Sequence, residues 1–224
     1  MVTELMTALP PEIERYRQLI KSRLRWHTRF VHGYSMPQHQ LVWTEALEDM
    51  SIKRLLIVAA PKYGKSPVIG DYLGWRIGND PEGYHCIYVS NTASQADKYS
   101  VALRDTIAYN GNYRFLYDLR PDMMKGWSGN EWYVRRKNEA DKDPTLQATG
   151  VSGPVLGATV QEVIFDDIAD QENMATEYQR QKLMEWVRAT AMSRLVPSGR
   201  AVGIMTRWHE NDPAAEFEKD GWVV

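Results

Sequence analysis

Leu55, Leu56, Ile57, Val58 and Ala59 form an unbroken apolar run that is closed by Pro61 and Gly64. A short run of that kind predicts a strand buried on both faces. Directly after it, Val68, Ile69, Tyr72, Leu73 and Ile77 recur on one helix face, up to the stop signal Gly78-Asn79-Asp80-Pro81. The pair repeats down the chain. Residues 85–90 read as a strand, followed by a helix on Ala96, Tyr99, Leu103 and Ile107 with Thr92 and Gln95 placed as a capping box. Residues 163–167 read as another, followed by a helix on Leu183, Trp186, Val187 and Ala191 capped by Thr176 and Gln179. Beyond a turn predicted at residues 193–199, residues 201–205 give a further buried strand. Such alternation predicts an α/β fold of three layers, a mostly parallel sheet with helices on both faces.

Outside the alternation the pattern is less regular. Residues 11–30 predict one helix, with Tyr16, Leu19, Ile20, Leu24 and His27 as its apolar stripe. Its Arg15, Arg17, Lys21, Arg23, Arg25 and Arg29 face only Glu12 and Glu14, which fits a surface for DNA phosphates or a neighbouring subunit, or a solvated helix face. A second helix opens at Pro37 and runs to about Met50, so residues 1–50 read as a helical segment ahead of a core at 51–224. Residues 109–137 interleave Arg114, Arg120, Lys125, Arg135, Arg136 and Lys137 with Trp127 and Trp132, as a nucleic-acid surface does. Trp132-Tyr133-Val134 equally fits an edge strand with solvated charges. Residues 145–151, with Gly150, Gly153 and Gly157, read as a flexible connection.

Composition narrows the picture in three ways. A formal net charge of −2 over 224 residues makes any nucleic-acid surface local. The single cysteine, Cys86, excludes an internal disulfide, fits a reducing compartment, and reads as core within an apolar strand. No apolar run approaches the roughly 18 residues of a membrane span, and the first residues lack the basic and apolar parts of a signal peptide.

The chemistry gathers where predicted strands end. Gly64-Lys65-Ser66 between a strand and a helix is the context of a phosphate-binding loop. There Pro61, Lys62, Tyr63 and Gly64 would shape a cradle of backbone N–H groups, Lys65 would reach the β and γ phosphates, and the Ser66 hydroxyl would hold Mg²⁺. Upstream, Gln38 and Gln40 are each placed to read an adenine edge or to sit at an exposed helix start. About 100 residues on, a strand ends in Asp166-Asp167, the acidic half of an ATPase site. Asp166 would bind Mg²⁺ through water, and Asp167 would orient or deprotonate the attacking water, with Glu172 or Glu177 as substitutes. The strand at 201–205 delivers Thr206 to the same edge. His209, Glu210 and Asp212 look like metal ligands, but Asp212-Pro213 with Glu216 more simply opens a helix.

In order, APKYGKS, SNTASQADKYSVALRDTI, GVSGPVLGATVQEVIFDD and SRLVPSGRAVGIMTRWHENDPAAEFEKDGW resemble the N-terminal ATPase motor domain of the large terminase subunits of tailed bacteriophages, over about residues 35–222. TRWHEND is the most family-specific piece. The resemblance implies a P-loop NTPase of the ASCE type that hydrolyses ATP with Mg²⁺ to drive double-stranded DNA into a procapsid. It implies Lys65 and Ser66 as Walker A, Asp166 as Walker B, Asp167 as the catalytic carboxylate, and Thr206 with Arg207 in the coupling motif. Lys62 stands where many relatives carry arginine. The implied partners are double-stranded DNA, the portal of a procapsid, a small terminase subunit and neighbours in a homo-oligomeric ring, in the cytoplasm of an infected bacterium and without a membrane. An arginine, Arg194, Arg188 or Arg207, is expected to neutralise developing charge, commonly on a neighbour's site. Relatives carry a second, RNase-H-like nuclease domain, which is expected to be absent here, and with it nuclease activity. Two departures stand out: Ala59 replaces the first glycine of the loop, and Asp167 replaces the more usual Glu. A helicase-like or repair DNA-dependent ATPase and a non-hydrolysing nucleotide-binding module are the alternatives.

Overall fold

A computed structural model describes residues 9–155 and 157–224. The first eight residues of the expected N-terminal segment lie outside it. Three helices open the described chain: α1 (Pro11–Lys21), α2 (Leu24–His32) and α3 (Gln38–Glu48). Then come β1 (Arg54–Val58), α4 (Lys65–Asn79), β2 (Cys86–Ser90), α5 (Ala93–Tyr109), α6 (Gly111–Leu116), β3 (Glu131–Trp132) and β4 (Leu146–Gly150). The last third supplies β5 (Val160–Asp166), α7 (Glu177–Trp186), β6 (Leu195–Met205) and α8 (Pro213–Lys219).

The strands form one six-stranded sheet in the order β1-β6-β5-β2-β4-β3. All neighbours are parallel except β3, which pairs antiparallel with β4 at the edge. Parallel strands need crossovers, and the helices between them cover both faces. One core holds Leu55, Ile57, Tyr72 and Ile164 with α4 and α5; the other holds Leu56, Val163 and Phe165 with α7 and α8. The predicted α/β architecture is therefore the observed one. The C-terminal ends of β1, β6 and β5 lie side by side, which brings the Gly64-Lys65-Ser66 loop, Thr206 and Asp166-Asp167 to one edge.

Three local expectations need correction. Residues 11–30 are two helices, because Arg23 is extended (φ −140°, ψ 134°). Glu48 fixes the break from α3: it accepts from Leu24 N at 2.6 Å and from Arg23 at 2.8 Å. Residues 145–151 are no loose connection but contain β4, all five residues of which are buried. Gln147 and Thr149 hid it from a hydrophobic pattern. The turn expected at 193–199 is largely strand, since Leu195 already pairs with Val160 across an irregular register. Before it, the chain leaves α7 through a π turn at Val187–Ala191 and a 3₁₀ turn at Met192–Arg194.

In the basic-aromatic stretch the edge-strand reading holds at β3. Trp132 is fully buried, with its indole N–H donating to Ser100 at 2.9 Å. Arg136 is a clamp on Pro81, Tyr84, Asp141 and Asp143, so neither side chain is offered to a ligand. Cys86 is buried in β2, as its apolar context predicts. Thr176 and Gln179 form the complete reciprocal capping box, whereas at Thr92 only the bond from Gln95 N to the Thr92 hydroxyl forms. No described helix is long and apolar enough to cross a membrane.

Candidate active site

The loop after β1 begins with Ala59 N donating to Met205 O at 3.0 Å, which pins it to the end of β6. It then turns through two left-handed residues, Lys62 (φ 69°) and Gly64 (φ 78°). Glycine at 64 is dictated by space as well as by φ: a Cβ there would lie 2.4 Å from Gln40 Nε2. Gln40 is buried and both ends of its amide are bonded within the protein. Its Nε2 donates to Tyr63 O at 3.1 Å and its Oε1 accepts from Tyr34 at 2.7 Å. In this geometry Gln40 braces the phosphate loop instead of offering its amide to a base. Gln38 stands exposed in the first turn of α3. Pro61, Lys62 and Tyr63 are exposed along the loop.

Lys65 opens α4 and is almost fully buried. Its ammonium donates to Thr206 Oγ1 at 2.8 Å and to the Ala59 and Ala60 carbonyls at 3.2 Å each, and lies 3.3 Å from Asp167 Oδ2. The loop after β1, the acidic end of β5 and the β6 terminus thus meet on one nitrogen. Asp167 sits at φ 44°, an unusual backbone for a non-glycine residue. Its N–H donates to Ile204 O at 2.9 Å, and its Oδ1 accepts from Thr206 N at 2.7 Å. The carboxylate placed as a base is thereby also the link between β5 and the segment after β6. Glu172 and Glu177 are exposed, on the approach to α7.

Asp166 ends β5 and is buried, which pushes its pKa up to about 6 against the lowering hydrogen bonds from Tyr88 and Ser66. Tyr88 donates to Oδ2, while Oδ1 is buried without a protein partner among the described residues. Ser66 in the first turn of α4 and Asp166 at the end of β5 thus supply a hydroxyl and a carboxylate, with one carboxylate oxygen left over. That donor set fits Mg²⁺, which takes few protein oxygens and keeps several waters.

The arginines divide by position. Arg194 precedes β6, and its neighbour Leu195 pairs with Val160 at the start of β5, so the 7 residues of β5, roughly 23 Å at the usual rise, lie between it and the edge that carries Thr206. It cannot serve the P-loop of its own chain. Arg188 pairs with Asp220 at 2.9 Å and Glu216 at 3.3 Å. Arg207, beside Thr206, is turned to Glu218 at 2.8 Å and Asp212 at 3.4 Å. Asp212 is the N-cap of α8, accepting from Ala215 N at 2.9 Å and Trp208 N at 2.8 Å. Among the described residues no group of three or more His, Cys, Asp or Glu side chains could hold a metal. The helix-opening reading of this segment is the one the geometry bears out.

Sequence reading missed Tyr34, Tyr88 and Pro67. Tyr34 and Tyr88 carry no periodic signal: Tyr34 reaches Gln40 across the irregular link between α2 and α3, and Tyr88 reaches Asp166 on the neighbouring strand. Pro67 was legible: in the first turn of α4 it removes one of the N–H groups that have no partner within the helix.

The chain is similar to the large terminase subunit of Enterobacteria phage T3, with 24% identity over 180 residues. That alignment covers 80% of this chain but only 30% of the relative. Among solved structures it is similar to a variant of the large terminase ATPase domain of Thermus phage P74-26, at TM-score 0.55 and 16% identity, covering 88% of this chain and 74% of that one. It also matches Dbp5 of S. cerevisiae, solved with Gle1 and IP6, at TM-score 0.51 and 11% identity, covering 89% of this chain and 48% of that one. No protein-family model matches. At these identities the structural likenesses speak for the fold alone, an α/β core built on a mostly parallel sheet.

Proposed function

We propose that this chain is the motor region of a phage terminase large subunit, which hydrolyses ATP to translocate double-stranded DNA into a procapsid. The observation that carries this is the convergence on Lys65 of Thr206 at 2.8 Å and Asp167 at 3.3 Å. It joins the three segments that a packaging ATPase needs: phosphate loop, acidic strand end and coupling strand. The curated relative supports the choice of terminase over other P-loop ATPases. DNA, the portal of a procapsid, a small terminase subunit and ring neighbours are its proposed partners, in the host cytoplasm.

Loop N–H groups and the N-terminus of α4 bind the phosphates, with Lys65 swinging from the Ala59 and Ala60 carbonyls to the β and γ oxygens. Ser66 and Asp166 would hold Mg²⁺, which supplies charge neutralisation at the transferred phosphoryl group. Asp167 takes up or orients the proton of the attacking water once Lys65 leaves it. Because Asp167 also accepts from Thr206 N, that change reaches β6 directly. Of the two glutamines, Gln38, exposed at the start of α3, is the proposed reader of the adenine edge.

Steady-state ATP hydrolysis at rising protein concentration, with and without double-stranded DNA, tests the proposal. A rate per subunit that climbs with concentration and with DNA is expected, and Lys65→Ala should abolish it. Turnover surviving Lys65→Ala within twofold would remove the P-loop from the mechanism. Tight binding of Mg-ATP with no turnover under any condition would favour a non-hydrolysing nucleotide module, for which the engaged Asp167 is the supporting feature.

A further inference from the structure

Two buried carboxylates in this sheet are held by tyrosines, and the difference between them is informative. Glu162 in β5 is completely buried; Tyr72 donates to its Oε1 at 2.7 Å and Tyr84 to its Oε2 at 2.6 Å. Arg76 and Arg200 flank it at 3.6 and 3.8 Å, so both oxygens are satisfied within the protein. Asp166, four residues further along the same strand, has a tyrosine on one oxygen only, and its Oδ1 has no partner among the described residues. Ser90 lies opposite it: β2 and β5 pair in parallel with Ser90 in register with Asp166 and Tyr88 with Ile164. Side chains alternate along a strand, so Tyr88, Ser90 and Asp166 share one face of the sheet. Ser90 is 1% exposed, and its hydroxyl also lacks a partner among the described residues.

An orphaned acceptor and an orphaned hydroxyl on neighbouring strands, both buried, mark a place for a hydrogen-bonding guest. A structural carboxylate would be satisfied on both sides, as Glu162 is. We propose that Tyr88 and Ser90 are positioning residues for the divalent cation that accompanies the nucleotide. Tyr88 fixes Oδ2 so that Oδ1 is presented to a water of the cation's shell, and Ser90 gives that water its second contact. The assignment rests on the nucleotide-site reading above and adds two residues of β2 to it.

The test uses Mn²⁺ as the probe, with free Mn²⁺ followed by electron paramagnetic resonance in the presence of a non-hydrolysable ATP analogue. Outer-sphere partners of a metal ligand typically affect affinity by about 10-fold or more, so Tyr88→Phe should weaken Mn²⁺ binding about tenfold. Ser90→Ala should weaken it about threefold, and Ser90→Thr, which keeps the hydroxyl, should stay within about twofold of the parent. Binding of the analogue without cation should be unchanged in both, and thermal unfolding without metal should be unchanged in Ser90→Ala. Should Tyr88→Phe not fold, the near-isosteric Ser90→Ala and its Ser90→Thr partner decide the matter. Parental Mn²⁺ affinity in Ser90→Ala, or in a folded Tyr88→Phe, overturns the assignment while leaving the nucleotide site intact. Failure of the parent chain to bind Mn²⁺ with the analogue, or binding that survives Lys65→Ala, overturns the underlying site reading as well.

Discussion

His27 lies in the core, with its Nδ1 3.1 Å from the Tyr117 hydroxyl, and burial pushes its pKa down to about 3. In the unfolded chain it titrates near 6.5, so between these values the unfolded state holds the extra proton. Its contribution is complete above about pH 6.5 and is lost as pH falls toward 3. At pH 5 the loss is about 2 kcal/mol, from 1.36 kcal/mol per unit over roughly 1.5 units. Denaturant titrations at pH 7 and pH 5 should show that loss, and a His27→Phe variant should show a correspondingly shallower decline. Asp166 makes the opposite kind of prediction. A buried carboxylate with one unpartnered oxygen costs stability for the sake of its ligand. Asp166→Asn, which keeps an oxygen for Tyr88, should stabilise the metal-free protein by about 1–3 kcal/mol while abolishing hydrolysis. Calorimetry showing a lower melting temperature would contradict it. Lys65, Ser66 and Asp166 were legible because each sits where an apolar run meets a turn. The role of Gln40 was not, since its two partners, Tyr34 and Tyr63, are identifiable only once α3 packs beside the loop.

At the scale of elements, the sheet is tied to its helices by one buried arginine. Arg200 in β6 donates to Leu47 O at 2.7 Å, Ala46 O at 2.9 Å and the Tyr72 hydroxyl at 2.9 Å. It thereby satisfies carbonyls at the end of α3 and links them to Tyr72 in α4, whose hydroxyl reaches Glu162. Removing one member of a buried ionic group strands the others, so Arg200→Ala should cost about 3–5 kcal/mol. Pairing Arg200→Met with Glu162→Gln should recover much of that loss, and a chemical-denaturation double-mutant cycle would measure the coupling. Cycles that add without coupling would mean that the group is not a unit. Helix and strand identity came through wherever burial followed a simple period. It failed at β4, where Gln147 and Thr149 are buried polar residues, and at the start of β6, where Pro197-Ser198-Gly199 reads as a turn yet lies within a strand. At β4 strand pairing overrode local preference, whereas Pro197-Ser198-Gly199 lie in the irregular stretch between the paired Leu195 and Arg200.

For the whole molecule, the open question is which chain supplies the arginine. Local patterns placed Arg194 just ahead of the last strand, but the pairing of that strand decides its reach. Because Leu195 is level with Val160 at the start of β5, Arg194 is at the far end of the sheet from its own Lys65 loop. Arg194→Ala should therefore leave nucleotide binding by the isolated chain unchanged, whatever it does to turnover. If the residue completes a neighbour's site in a ring, Arg194→Ala and Lys65→Ala chains are each inactive alone but complementary when mixed. The first retains a working P-loop and the second a working arginine. In a head-to-tail ring assembled at random from equal amounts, about a quarter of interfaces pair the two in the productive order. Hydrolysis should then recover to a corresponding fraction of the parental rate, at protein concentrations that support assembly. No recovery on mixing, with both variants still assembling, would assign the arginine to Arg207 or Arg188, or leave the charge to Lys62. Arg207 is the stronger alternative because it adjoins Thr206 at the site edge, and acting there requires it to leave Glu218 and Asp212. Glu218→Gln would then raise turnover by freeing it, whereas a ring that depends on Arg194 would be indifferent to that change.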